Sequence, residues 1–188
     1  MATILHLAIV LWLAVPFPYF ISAGANTFTV PKLRDTGAVL GQISFMSGML
    51  WVVIMGLFYG LLIPAALCGC VLALCSVVLY EWTHRTVVDR NFYIGLSGAV
   101  PGAICDTGPY QYVRHPFYLS YIVAFLGVAV AFPSLIVSAV CLLNVGLFVY
   151  MAFDDERVLL QSPRAPDYVS YKVQVGMFLP RLAAKRRQ

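Results

Sequence analysis

The sequence predicts an all-α, polytopic membrane protein with about five transmembrane helices, its N-terminus outside and its C-terminus cytoplasmic. Three observations carry that prediction. Of the 188 residues, 61% are hydrophobic and only 11% are charged, whereas a soluble domain carries about 25% charged residues to wet its surface. The charges are segregated: no Asp, Glu, Lys or Arg occurs over 1–31, 36–80 or 117–153. All 12 Lys and Arg fall in the zones left over, 32–35, 81–114 and 154–188.

A hydrocarbon core of ~30 Å takes about 20 helical residues to cross. The first charge-free stretch therefore holds one span, and the two longer ones hold two each. The spans are placed near 2–23, 38–59, 62–82, 117–132 and 134–152, with turns at Gly60–Pro64 and Phe132–Ser134. Proline has no backbone N–H and disfavours helix just before it, so Pro64 and Pro133 mark these boundaries. A two-span stretch returns the chain to the face it left. All three charged zones then share one face, and the positive-inside rule makes that face cytoplasmic.

The first span lacks a charged region before its apolar run and is interrupted by Pro16 and Pro18, so it is expected to stay as a helix rather than act as a leader. The organisation is read as a three-span membrane region over 1–83 and a catalytic region over 84–188, with a helical hairpin and a cytoplasmic tail. The basic tail Lys185–Arg187 is suited to anionic lipid and reads as a topology signal, with no nucleic acid expected as a partner. Cys68, Cys70, Cys75 and Cys141 lie in spans and Cys105 on the charged side, a distribution that builds neither a disulfide framework nor a metal site. No metal is expected. His6 and His84 read as interfacial, and Gln42, Ser138 and Asn144 as hydrogen bonds between helices.

Polar groups are costly in hydrocarbon, so chemistry is expected where spans end. Two segments stand out there: "GPYQYVRHPFY" (108–118) before the fourth span and "DDERVLL" (154–160) after the fifth. A tight hairpin brings the start of its first limb beside the end of its second. Arg114 and His115 should therefore lie near Asp155 and Glu156. Pro116 suits the first turn of a helix, whose free N–H groups can meet an oxygen ligand. Tyr110, Tyr112, Tyr118 and Tyr121 add aromatic faces for a base or a sulfonium. Interfacial Arg, His and Tyr also anchor helices at headgroups, so composition leaves a site and an anchor both open.

The order of four elements narrows this. "GPYQYVRHPFY", then "DERVLL", "DYVSYKV" and a terminal "FLP" resemble the isoprenylcysteine carboxyl methyltransferase superfamily, which includes prokaryotic integral membrane methyltransferases and is related to the phospholipid N-methyltransferases. The resemblance covers about residues 102 to 182. It implies S-adenosylmethionine as cofactor, held in a cytoplasm-facing cavity, and a lipid or lipidated methyl acceptor met among membrane lipids. By the same resemblance, Tyr110, His115, Pro116, Phe117 and Tyr118 line the cofactor site, Glu156 is its acidic contact, and Ile104 and Cys105 border the nucleoside. Arg114 and Glu156 are the expected catalytic pair, Arg114 either orienting an anionic acceptor or pairing with Glu156. Departures fall on the acceptor side. Gly102 stands where many members carry His, Ala152 where the carboxyl methyltransferases carry a substrate-holding Arg, and Ser120 where a glycine is common. "QSPRAPDY" also replaces the usual approach to the tyrosine pair.

Carboxyl O-methylation is the leading analogy, with phospholipid-type N-methylation beside it. An NADPH-dependent membrane reductase is a rival, although the chain has no dinucleotide-type glycine loop. A non-enzymatic membrane scaffold is another. A transporter fits less well, because transporters place polar groups near the midplane.

Overall fold

A computed structural model describes residues 2–27, 36–58, 62–88 and 104–181. Within them run seven α-helices: α1 (Ala2–Ala14), α2 (Pro16–Thr27), α3 (Thr36–Phe58), α4 (Ile63–Val87), α5 (Pro116–Ala131), α6 (Leu135–Leu160) and α7 (Ala165–Gln174). A short 3-10 turn, Gly108–Gln111, precedes α5. Among the described residues the only strand-like pairing is an isolated parallel bridge between Val113 and Gly176. The protein is an all-α polytopic membrane protein. Four stretches are long and apolar enough to cross a bilayer: Ile4–Ala23, Val39–Phe58, Ile63–Val87 and Leu135–Leu160. The fifth, α5, has 16 residues and so rises only about 24 Å.

The first span is a broken helix. Pro16 has no N–H to give, so the ladder is interrupted at Val15 and resumes with Tyr19 donating to the Val15 carbonyl. The predicted turn at Phe132–Ser134 sits where α5 gives way to α6; residues 59–61 of the other predicted turn lie outside the described residues, and Pro64 lies in the first turn of α4. The first span runs to Thr27 rather than 23, and two later helices also run further than predicted. The fourth element reaches Val87 rather than 82, and the last limb continues to Leu160 rather than stopping at 152. In both cases the added residues bring the charged and polar groups (Thr83–Thr86, Asp154–Arg157) that leave the apolar layer without leaving the helix.

Short α5 is the axis of the bundle. It packs most extensively on α4 and also on α6 and α3, and most of its length is buried. The α4–α5 contact is close because small residues face each other. A Cβ on Gly69 would lie 2.7 Å from the Gly127 carbonyl oxygen, and one on Gly127 would lie 3.0 Å from that of Gly69. In lipid, such backbone approach supplies the dispersion contact that holds helices together. Elsewhere the outer faces of α1, α3, α4 and α6 present Leu11, Ile43, Leu67, Val71, Leu142 and Leu143, as a hydrocarbon solvent permits. Asn144 on α6 accepts a hydrogen bond from Ser44 on α3, the cross-helix role expected of it. His6 lies 2.6 Å from the Gly56 carbonyl of α3, so it ties helix to helix rather than helix to headgroup.

Side-chain bonds put the polar ends of the helices together. Tyr19 of α2 donates to Glu81 of α4 at 2.5 Å, and Arg85 meets the other Glu81 oxygen at 2.6 Å. Beneath this end lies an aromatic layer drawn from five helices. Tyr121 packs on Phe45 at 4.8 Å, Phe20 at 5.0 Å and Phe148 at 5.1 Å, and Tyr80 packs on Phe117 at 5.1 Å. Each well-placed aromatic pair contributes about 0.5–1.5 kcal/mol beyond its buried area. That layer is the floor on which the polar cluster rests.

Candidate functional site

The site begins with the extension of α6. Had the chain left helix at 152, Asp154, Asp155 and Glu156 would form one solvated acidic run. As helix, successive residues turn by about 100°, and the three acids part company. Glu156 continues the buried stripe of Cys141, Phe148 and Ala152, and it is buried with them. Asp155 turns toward α5 and accepts a hydrogen bond from Tyr118 at 2.8 Å.

The lead-in to α5 is built to place Arg114 and His115 over Glu156. Gly108 takes a left-handed φ of 56°, and a Cβ there would lie 2.4 Å from Thr86 Oγ1 on α4. Glycine alone makes that turn without strain. His115 is the N-cap of α5 and Pro116 its first residue, as the helix-start reading required. The N–H groups of Arg114 and His115 are not left open, however. They donate to the carbonyls of Gly176 (2.8 Å) and Met177 (3.2 Å), so the lead-in and the segment after α7 form a short two-stranded clasp.

Arg114 donates from Nε (2.8 Å) and Nη2 (2.6 Å) to Oε1 of Glu156. Its Nη1 reaches the Val175 carbonyl at 2.5 Å and the Lys172 carbonyl at 3.5 Å. His115 Nε2 lies 3.3 Å from the same Oε1 and donates to it in the tautomer protonated there. Lys172, on α7, takes the other oxygen, Nζ to Oε2 at 2.6 Å. Three basic side chains thus meet one carboxylate. Side-chain exposure separates them: 5% for Arg114 and 9% for His115, against 38% for Lys172.

Aromatic faces surround the cluster. The His115 and Tyr118 rings stack at 5.7 Å, and Phe178 lies 6.1 Å from the imidazole. Tyr171 donates to the Tyr110 carbonyl at 2.7 Å, fastening α7 to the turn before α5. Tyr168 is buried beside the ion pair. Its hydroxyl is close enough to Glu156 and Arg114 to be influenced by both, yet among the described residues it completes no hydrogen bond of ordinary length. Burial first, and the Glu156 charge second, push its phenol above the ordinary range; burial does the same to Tyr171.

Of the residues singled out in the sequence, Arg114, His115 and Glu156 meet directly. Pro116, Phe117 and Tyr118 form the first turn of α5 above the aromatic layer and are buried. Tyr110 and Cys105 are buried and Ile104 half-buried in the lead-in. Gly102 and Lys185–Arg187 lie outside the described residues. Of the two roles open to Arg114, the pairing with Glu156 is the one present. Sequence reasoning missed Lys172 and gave no role to Tyr168 or Tyr171. The available signal was their spacing: Tyr168 and Lys172 are four apart, so a helix over "DYVSYKV" puts both on one face. Among the described residues no group of three or more His, Cys, Asp or Glu can hold a metal ion.

Comparison with known proteins places the chain in a family. The family model described as phospholipid methyltransferase matches residues 64–162, from the start of α4 to just past α6. A nickel-cobalt-cadmium resistance protein of Alcaligenes xylosoxydans xylosoxydans is 29% identical over 116 residues, 62% of this chain and 54% of that protein. A cobalt-zinc-cadmium resistance protein of Cupriavidus metallidurans is 31% identical over 91 residues, 48% of this chain and 42% of that protein. The chain spans about half the length of these curated relatives. No solved structure matches.

Proposed function

The chain belongs to the phospholipid methyltransferase family of membrane methyltransferases, and from that premise we propose that it moves a methyl group from S-adenosylmethionine to a lipid or lipidated acceptor. The observation that carries the reading is the buried Glu156 carboxylate, set among basic and aromatic side chains at the end of the hairpin. S-adenosylmethionine, when bound, would supply an activated sulfonium methyl to an acceptor oxygen or nitrogen, with S-adenosylhomocysteine as leaving group and any acceptor N–H or O–H proton released to solvent.

The side chains present fit such a cofactor. A buried carboxylate accepts from a hydroxyl or ammonium group, and the Tyr168 hydroxyl, with no bond of ordinary length, calls for a polar partner. The stacked His115 and Tyr118 rings, with Phe178 beside them, offer π faces to a purine or a sulfonium. Glu156 and His115 would hold the donor's polar groups; Tyr110, Pro116, Phe117 and Tyr118 would wall the pocket, with Ile104 and Cys105 at its nucleoside side. Arg114, spent on Glu156 and two carbonyls, fixes the carboxylate rather than the acceptor. A donor that is already activated leaves alignment as the protein's main task, worth roughly 7–11 kcal/mol of barrier in well-oriented cases. The site is assigned to the cytoplasmic face because every Lys and Arg lies on that side of the predicted spans.

Saturable binding of S-adenosylmethionine and S-adenosylhomocysteine to purified protein is the test. It should weaken at least tenfold in Glu156→Gln and His115→Ala, and isotopically labelled methyl groups should enter membrane lipids or lipopeptides. No binding, or NADPH-dependent turnover without any methyl donor, would overturn the reading in favour of a reductase. The names of the two relatives set a physiological context, resistance to nickel, cobalt, zinc and cadmium. Growth of a deletion strain on those metals tests whether it extends to this chain.

A further inference from the structure

We propose that Lys172 is an exchangeable counter-ion: it holds Oε2 of Glu156 in the protein alone and, once a donor group of the cofactor takes that oxygen, turns to pair with an anionic head on the methyl acceptor. The proposal rests on the methyltransferase reading and adds to it a substrate class and an order of binding.

The two oxygens of Glu156 are used unequally. Oε1 takes both Arg114 donors and His115, whereas Oε2 takes Lys172. A ligand that needs this carboxylate therefore meets Lys172 first. The three basic groups also differ in how readily they let go. Arg114 is 5% exposed and holds further bonds to Val175 and Lys172; moving it strands a buried charge, which is strongly unfavourable. Lys172 is 38% exposed, so its ammonium regains water on release, and ion pairs of that exposure are weak.

The backbone of Lys172 stays in place while its side chain moves. Its carbonyl faces Arg114 Nη1, Tyr168 is buried one turn before it, and Tyr171 is fastened to the Tyr110 carbonyl. What remains mobile is a four-carbon stem carrying a compact charge. Among the described residues Glu156 is the carboxylate paired with Lys172, so a ligand that engages it leaves the ammonium without that partner. Asp155 accepts from Tyr118, and Asp167 lies beside Arg164. A cation at the rim of the pocket then favours an acceptor bearing a phosphate or a carboxylate.

The experiment is calorimetry in lipid nanodiscs with the wild type, Lys172→Met and Lys172→Arg. With S-adenosylhomocysteine as probe, the methionine variant should bind about two- to fivefold tighter, because the competitor for Oε2 is gone. The arginine variant should bind no tighter than wild type. Equal or weaker binding by Lys172→Met overturns the proposal. Dodecyl phosphate, dodecanoate and neutral dodecanol are then titrated with and without S-adenosylhomocysteine. Saturation with S-adenosylhomocysteine should raise wild-type affinity for at least one anionic amphiphile about fivefold, a coupling that is reciprocal by thermodynamic linkage. Lys172→Met should lose it, and dodecanol should show none. Enhancement of the phosphate alone or the carboxylate alone identifies the head; enhancement of neither overturns the exchange. A wild type that binds no S-adenosylhomocysteine at all overturns the methyltransferase reading itself. One that binds it without coupling overturns only the Lys172 exchange.

Discussion

Replacing Arg114 by methionine tests the central ion pair most directly. The guanidinium supplies two donors to Glu156 Oε1, at 2.8 and 2.6 Å, and one to the Val175 carbonyl at 2.5 Å. Methionine fills much of the volume and replaces none of these. Glu156, 3% exposed in its side chain, would be left with Lys172 and His115, and the Val175 carbonyl with no charged donor. Removing one partner of a buried pair costs about 3–5 kcal/mol, mostly as the penalty of the stranded charge. The double variant Arg114→Met/Glu156→Leu removes that charge as well, while half-exposed Lys172 returns to water. It should therefore be more stable than Arg114→Met alone by about 2 kcal/mol, and with Glu156→Leu as the second single variant the cycle should give an interaction energy of about 2 kcal/mol or more, the sign expected for residues in direct contact. Unfolding by sodium dodecyl sulfate in mixed micelles, followed by tryptophan fluorescence, measures both. An Arg114→Met protein within about 0.5 kcal/mol of wild type, or a double variant equal to the sum of its singles, would refute the pairing.

Gly127→Val should separate α4 from α5, since a Cβ alone would lie 3.0 Å from the Gly69 carbonyl and 3.2 Å from Leu72 Cβ. A loss of about 1–3 kcal/mol in the same unfolding assay is expected. Gly108→Ala combines a left-handed φ of 56° with a Cβ 2.4 Å from Thr86 Oγ1 and should cost about 1–3 kcal/mol. Adding Thr86→Ala should restore only the steric part, and full recovery would show that φ carries no strain. Tyr171→Phe removes the bond to the Tyr110 carbonyl. It should lower stability by about 0.5–1.5 kcal/mol and loosen S-adenosylhomocysteine binding a few-fold, and unchanged binding would release α7 from its fastening role.

Charge spacing alone carried the membrane architecture and much of the site. A bilayer of fixed thickness allows a charge-free stretch little choice but to cross it once or twice, and a hairpin with three residues between its limbs must bring their far ends together. Arg114, His115 and Glu156, some forty positions apart in the chain, were therefore paired before any coordinates. The same reasoning misjudged where helix stops, because it measured the apolar layer and not the hydrogen-bond ladder. α6 carries on past 152 to Leu160, and only that continuation separates Glu156 from Asp155.

Composition and order in the sequence determined that the chain spans the membrane, which end gathers the charges, and which hairpin carries the RHP and DER segments. Tertiary structure decided which donor meets which oxygen, the clasp of Val113 with Gly176, and the presence of Lys172 opposite Arg114. Hydropathy reports how far a residue lies along the membrane normal. Partner choice depends on the rotation of each helix about its own axis and on the angle at which α7 folds back. Those are set by contacts such as Gly69 on Gly127 and Tyr171 on Tyr110, between residues remote in the chain.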